Sequence, residues 1–80
     1  MFISVHKTNN CIMVDFPYNN KNLIILWHTN DNYEIYINEN NINELIDGGS
    51  SLDSLISDLD LIDDLTNHCK KFIIKTIGEF

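Results

Sequence analysis

The sequence predicts a single α+β domain, because two kinds of hydrophobic pattern divide the chain. Up to about residue 38, short segments alternate apolar and polar residues, which is typical of strands with one buried face. From about residue 41 onward, apolar residues recur at steps of three and four, as on one face of a helix. Eighty residues, of which 44% are hydrophobic, suffice for one small core, so we expect one domain over 1–80.

Four strands are predicted in the first half of the chain, near residues 2–7, 11–16, 23–28 and 33–38. In the second of them Ile12, Val14 and Phe16 share one face, which we expect to be buried. Pro17 lacks a backbone N–H and is expected to stop this strand. The run LIILW, residues 23–27, is apolar on both faces and indicates a central strand. Short, asparagine-rich connections favour an antiparallel meander.

Two helical segments are predicted in the second half. Asn41 and Glu44 have the spacing of an N-terminal capping box, and a glycine pair follows, so a short helix is expected near 41–47. A second helix, capped by Ser50 or Ser51, is expected near 51–77, with an apolar stripe that includes Leu55, Leu59, Cys69 and Ile73. It is either continuous or broken near 58–60, where Asp60 could cap a new helix. The helices should cover one face of the sheet.

The charge of the chain narrows the classes of function. Twelve acidic residues face five lysines, the net charge is −7, and arginine is absent. Direct binding to nucleic acid is therefore disfavoured both by the sign of the charge and by the residue type that best grips phosphate. No segment approaches the roughly 20 apolar residues of a membrane span, and the N-terminus lacks an export signal. The sequence predicts a cytoplasmic protein that does not bind membranes.

Groups capable of catalysis or metal binding show no motif. Asp63 and Asp64 are adjacent, so on a helix they point about 100° apart and cannot act as an acid and base pair. The histidines are scattered at His6, His28 and His68. Cys11 and Cys69 are expected to be unpaired small side chains. We expect no catalytic residue, no metal site and no cofactor.

Aspartates are concentrated on the second predicted helix. Asp53, Asp60 and Asp64 fall on one polar stripe, and Asp63 lies beside it. The helix dipole stabilises acids in the first turn only, so dipole complementarity leaves part of this charge unexplained, although a simple solvated face remains an alternative. Carboxylates about 5 to 10 Å apart on a helix approximate the spacing of phosphates along a nucleic-acid strand. A basic protein groove built for DNA or RNA would accept such a face.

The stretch LIILWHTNDNYEIYINENN, Leu23 to Asn41, resembles the acidic, asparagine-rich hairpin of the small phage-borne anti-CRISPR proteins that inhibit Cas9 by occupying its DNA-binding surface. The resemblance implies a non-catalytic inhibitor whose acids meet the lysines and arginines that read the PAM or hold the heteroduplex. This chain differs in opening with a strand and in carrying its densest acids in the C-terminal half. The implied partner-binding residues are Asp31, Glu34, Glu39, Asp53, Asp60, Asp63 and Asp64.

Two other functions remain as alternatives to an inhibitor that binds the basic nucleic-acid-binding groove of a protein partner. An immunity or antitoxin protein would use the same acidic face to block the active site of a nuclease. A self-associating regulatory or structural domain would use an apolar contact formed by Trp27, Tyr36, Phe72 and Phe80. We expect a monomer or a homodimer, and an enzyme is not expected.

Overall fold

An antiparallel five-stranded sheet and two helices form the computed structural model, which describes residues 3–62 and 64–79. The strands are β1 (Ser4–Lys7), β2 (Cys11–Tyr18), β3 (Lys21–His28), β4 (Tyr33–Glu39) and β5 (Ile42–Gly49). They are hydrogen-bonded in sequence order, and β3 is central as predicted. The α+β class is confirmed, with five strands where four were predicted. Phe2, where the first strand was predicted to begin, lies outside the described residues.

Asparagine pairs make two of the hairpin turns. Asn19 and Asn20 have φ angles of 48° and 62°, and Asn40 and Asn41 have φ angles of 55° and 64°. Two successive left-handed residues between paired strands produce the turn that matches the natural twist of a hairpin, and asparagine tolerates this conformation better than most residues do. The backbone therefore reverses within two residues at each turn.

The predicted helix near 41–47 is wrong, because this segment forms β5. Asn41 is the second residue of a hairpin turn and not a helix cap. A helix of seven residues would be marginal by itself, whereas pairing with β4 provides backbone hydrogen bonds along the whole segment. The ladder contains one bulge, since Ile35 pairs with Asp47 and Tyr36 pairs with Leu45, which leaves Ile46 as the extra residue.

Pro17 was expected to end β2, and this expectation is also wrong. The strand continues to Tyr18, with Pro17 opposite Asn22 of β3. The described pairing of β1 with β2 reaches only as far as Asp15. A strand that is paired on one side alone can accommodate a residue without an N–H.

The C-terminal helical segment is broken into α1 (Leu52–Asp60) and α2 (Asn67–Gly78). Ser51 caps α1 as predicted, but Thr66, not Asp60, caps α2, its Oγ1 accepting from the Cys69 N–H at 3.2 Å. A continuous helix over 51–77 would be about 40 Å long. The described part of the protein measures only 31 Å along its longest axis, so two helices cover the sheet better than one. Neither helix is long and apolar enough to cross a membrane.

Both helices pack on the same face of the sheet, with α1 beside β5 and α2 beside β2. The sheet contributes to the core Ile12, Val14, Leu23, Ile25, Trp27, Tyr33 and Ile35, and the helices contribute Leu55, Leu59, Leu65, Cys69, Ile73 and Ile77. The predicted buried face of β2 is confirmed, with Phe16 packed against Phe72 at a ring separation of 5.9 Å. In the part of the chain that the structure describes, no helix covers the other face of the sheet.

Candidate functional site

The lysines are confined to part of the molecule, whereas acids occur throughout it. Between Asn22 and Cys69 the sequence contains ten aspartates and glutamates and no lysine. This interval includes all of β4, β5 and α1. The five lysines are Lys7 on β1, Lys21 at the start of β3, and Lys70, Lys71 and Lys75 on α2. Since α1 packs beside β5 and α2 beside β2, the side formed by β5 and the start of α1 carries acids and no lysine, while among the described residues Lys70 reaches only Asp60 at the end of α1.

Four acids occupy this side, and with the apolar residues of β5 they define what we call the β5–α1 surface. Glu44 and Asp47 pair with Ile37 and Ile35, so both project on the face that carries the helices. Glu39, at the end of β4, projects on the same face, and Asp53 lies in the first turn of α1. Glu39, Glu44 and Asp53 are exposed. Within residues 3–62 and 64–79, none of the four is ion-paired with a lysine.

Large apolar side chains of β5 lie beside these acids, Ile42 on the same face of the sheet and Leu45 on the other. Ile42 is 69% exposed, Leu45 58% and Ile46 42%. Three of the six large hydrophobic residues that are exposed in the described chain therefore lie on one strand. The strand also has a neighbour on one side only in the described structure, namely β4. Its outer edge presents backbone donors and acceptors beside acids and apolar groups.

The structure does not support one continuous acidic stripe on a C-terminal helix. Asp53 is exposed on the β5–α1 surface, but Asp60 ends α1 and lies 3.4 Å from the Lys70 Nζ. Asp64 follows the break, where its carboxylate accepts from the Asn19 side-chain amide at 2.9 Å and lies 3.5 Å from the Lys21 Nζ. These contacts, the Asn19 hydrogen bond above all, lower the pKa of Asp64. Asp63 lies outside the described residues.

The three acids predicted on the hairpin lie in three different places. Asp31 is exposed in the β3–β4 turn, at the end of the sheet where α1 begins. Glu34 is on the helix-free face, where it accepts from the His28 Nε2 at 3.0 Å and the Tyr36 hydroxyl at 2.8 Å. Those two hydrogen bonds lower its pKa. Glu39 lies at the opposite end of β4 and belongs to the β5–α1 surface.

Sequence reasoning missed five residues of this surface: Ile42, Glu44, Leu45, Ile46 and Asp47. All five fall in the segment predicted to be a helix. The available signal was the dipeptide Asn40-Asn41, because an Asn-Asn pair between alternating segments is also what turns β2 into β3. The turn before β5 therefore carried a hairpin signal, although the strand itself did not alternate clearly.

No family model, curated protein or solved structure matches this chain. The resemblance of residues 23–41 to anti-CRISPR proteins thus stays a prediction.

The clearest polar cluster outside the β5–α1 surface is the hydrogen-bonded pair of His28 and Glu34. It borders an open cleft of about 490 Å³ lined also by Asn10, Thr29, Asn30 and Asn32. Among the described residues, the hydrogen bond of the His28 ring goes to Glu34 and not to a hydroxyl or a thiol. The two cysteines are not bonded to each other, and burial raises the pKa of the Cys69 thiol to about 11, which makes it a poor nucleophile at neutral pH.

The aromatic contact expected for a self-associating domain is not assembled on one surface. Trp27 is 7% exposed and stacks on Tyr33, and Phe72 packs against the core, whereas Tyr36 lies on the opposite face of the sheet. Phe80 lies outside the described residues. In the described chain no three histidine, cysteine, aspartate or glutamate side chains come together as metal ligands. What the β5–α1 surface offers is charge, apolar contact and free backbone groups, which are the components of protein-binding surfaces.

Proposed function

We propose that this protein binds, without catalysis, to a basic nucleic-acid-binding surface on another protein and blocks it. The contact is the β5–α1 surface. From the resemblance at residues 23–41, the partner we propose is a CRISPR effector such as Cas9, in which a basic groove holds DNA and the RNA–DNA heteroduplex. The supporting observation is the segregation of charge, with every lysine of the sequence outside the interval that forms β4, β5 and α1.

Electrostatics makes a basic groove the natural partner for such a surface. Glu39 and Glu44 are exposed diagonal neighbours on β4 and β5 and repel each other when the protein is free, and Asp53 is exposed at the end of the sheet where α1 begins. A cluster of lysines and arginines relieves this repulsion and steers the encounter, which raises the association rate. Each exposed ion pair contributes only about 0.2 to 1 kcal/mol, so several must form together.

Apolar contact should contribute binding free energy beyond that of the exposed ion pairs. Ile42 and Leu45 are more than half exposed in the free protein. Removing apolar surface from water is worth about 25 cal/mol per Å², and this contribution is not weakened by electrostatic screening. We therefore expect a high association rate because of charge attraction and a low dissociation rate because of apolar burial.

Two triple variants test the proposal. The first, Glu39→Gln, Glu44→Gln and Asp53→Asn, neutralises the β5–α1 surface. The second, Asp31→Asn, Asp64→Asn and Glu79→Gln, removes the same number of charges elsewhere and serves as the control. The assay measures binding of a DNA target by guide-loaded Cas9 at increasing concentrations of each protein.

The wild type and the control triple should displace DNA, and the first triple should be at least about tenfold weaker, which corresponds to 1.4 kcal/mol of lost binding. If Cas9 does not bind, the immobilised wild type is exposed to a nuclease-treated bacterial lysate and eluted with a short DNA duplex, which releases a competing basic protein. Simultaneous binding of inhibitor and nucleic acid to the target contradicts the proposal. Equal activity of the two triples shows that the wrong surface has been chosen.

A further inference from the structure

The outer edge of β5 is open to another strand. The strand has eight residues, none of which is buried, and β4 is its only neighbour in the described part of the chain. An unpaired edge presents a row of N–H and C=O groups that can accept an additional strand. The backbone of β5 can thus bind an extended segment through the same pattern of hydrogen bonds that joins β4 to β5.

The two faces of β5 have different chemistry. Glu44 and Asp47 project on the face that carries the helices. On the other face, Ile24, Tyr36 and Leu45 are paired in one row across the sheet, and the row ends at Leu45 on the edge. A strand placed beside β5 would therefore meet acids on one face and the end of an apolar row on the other.

A second copy of the chain is a poor occupant of this edge. Antiparallel pairing of two β5 strands centred on Leu45 and Ile46 places Glu44 of each copy opposite Asp47 of the other. Like charges directly opposite one another on adjacent strands are destabilising. Each copy also carries a net charge of −7, so long-range repulsion opposes the same contact.

We propose that the partner contributes an extended segment that pairs with β5 as a sixth strand, and that lysine or arginine alternates with aliphatic residues along it. This inference rests on the proposed function, which requires a basic partner. Side chains in a strand alternate between the two faces of a sheet. The basic residues therefore face Glu44 and Asp47, and the aliphatic residues extend the row that ends at Leu45.

A capped seven-residue peptide in which lysine and valine alternate is the probe. It is compared with a peptide of the same composition in permuted order and with two N-methylated forms, methylated on the lysines in one and on the valines in the other. In a paired strand the N–H groups of alternate residues point to the same side, so only one of the two sets of methyl groups faces β5. One methylated form and the permuted peptide should bind about tenfold or more weakly than the parent, and the other methylated form should bind like it.

Nuclear magnetic resonance of the isotope-labelled protein locates the peptide. Amides of Ile42–Gly49 should shift and exchange more slowly with solvent, while those of Ser4–Lys7, the opposite edge, should not change. A matched pair of variants, one on β5 and one on β1, tests which edge of the sheet binds the peptide. Leu45→Lys should weaken binding of the parent peptide about tenfold, and Val5→Lys, at an exposed position on the opposite edge strand β1, should leave it unchanged.

Three outcomes overturn the inference and separate it from the proposed function. If the permuted peptide and both methylated peptides bind as tightly as the parent, the acids attract basic chains without strand addition, and the proposed function stands. If none of the peptides binds even at low ionic strength, the inference fails, and the DNA-displacement assay alone decides the proposed function. If the protein alone doubles its mass with concentration and the amides of β5 become protected, the occupant is a second copy.

Discussion

At the scale of single residues, Tyr33 joins the sheet to α1 through a small polar network inside an apolar core. The residue is 2% exposed, yet its hydroxyl donates to the Asp58 carboxylate and accepts from the Ser54 hydroxyl at 2.7 Å. Gly49 makes room for it, because a Cβ at that position would lie 2.7 Å from the Tyr33 Oη. Asp58 is thus the acid of α1 that serves the fold, in contrast to exposed Asp53.

The tyrosine network should make stability depend on alkaline pH. Burial, and then the hydrogen bond to Asp58, raise the pKa of Tyr33 above its usual value of 10.0. A group whose pKa is raised by folding contributes stability that is complete below its unfolded pKa and is lost as the pH rises through its folded pKa. The free energy of unfolding should therefore fall above pH 10.

Replacing Tyr33 by phenylalanine tests this contribution. The variant should lose about 1 to 3 kcal/mol at pH 7, since the Asp58 carboxylate loses its donor, and its stability should fall less steeply above pH 10. Urea unfolding between pH 7 and pH 11 measures both effects. Tyr36→Phe, on the helix-free face, should cost less at pH 7. A Tyr33→Phe variant as stable as the wild type would show that the network does not hold α1 in place.

At the scale of elements, the first four strands could be predicted because each combines a clear alternation with a turn signal. β5 could not be predicted in the same way, since its bulge inserts Ile46 and breaks the period of two between Glu44 and Asp47. Leu45 and Ile46 then imitate one face of a helix, and Asn41 with Glu44 imitates its cap. The alternation is also weakly marked because no residue of β5 is buried.

In the C-terminal helical segment, the buried apolar stripe could be predicted from the sequence. Leu55, Leu59, Cys69 and Ile73 are all buried as the predicted stripe requires, although a break separates the two pairs. The stripe survives because both helices lie against the same sheet. The acids were harder to predict, since the ion pairs of Asp60 with Lys70 and of Asp64 with Lys21 depend on where the chain turns. Of the predicted binding residues, Glu39 and Asp53 fall on the β5–α1 surface.

The turn before β5 gives a test of the β4–β5 hairpin. At Asn41, where φ is 64°, alanine should cost about 1 kcal/mol because of the left-handed backbone, and glycine should be nearly neutral. In the interior of a helix the order would be reversed, whereas a helix N-cap at Asn41 would give the same order, since alanine is also the worse cap. Chemical unfolding of Asn41→Ala and Asn41→Gly measures which of the two variants is less stable. The same order of stability is expected at Asn20, whose φ is 62°. A more stable alanine variant at Asn41 would argue against the β4–β5 hairpin.

At the scale of the whole molecule, net charge and charge distribution make separate predictions. The two triple variants proposed above carry the same net charge, but one has lost acids from the β5–α1 surface and the other from the β3–β4 turn, the segment between α1 and α2, and the residue after α2. An ion exchanger contacts a protein through its most densely charged side, and salt screens this contact. The triple of Glu39, Glu44 and Asp53 should therefore leave an anion-exchange column at lower salt than its control. Co-elution of the two triples would mean that the acids do not act as one patch.

The absence of lysine from residues 22–69 also determines where trypsin cuts the protein and where amine reagents attach to it. With no arginine in the chain, trypsin has no site within residues 22–69, so β4, β5 and α1 leave a digest together in one long acidic peptide that spans residues 22–70. Amine-reactive biotin attaches at lysines, and these lie on β1, at the start of β3 and on α2. In a biotinylated preparation bound to streptavidin, the β5–α1 surface is therefore unmodified. Because the tryptic peptide is so long, detection of the protein in cell extracts by peptide mass is best done with a protease that cuts at acidic residues.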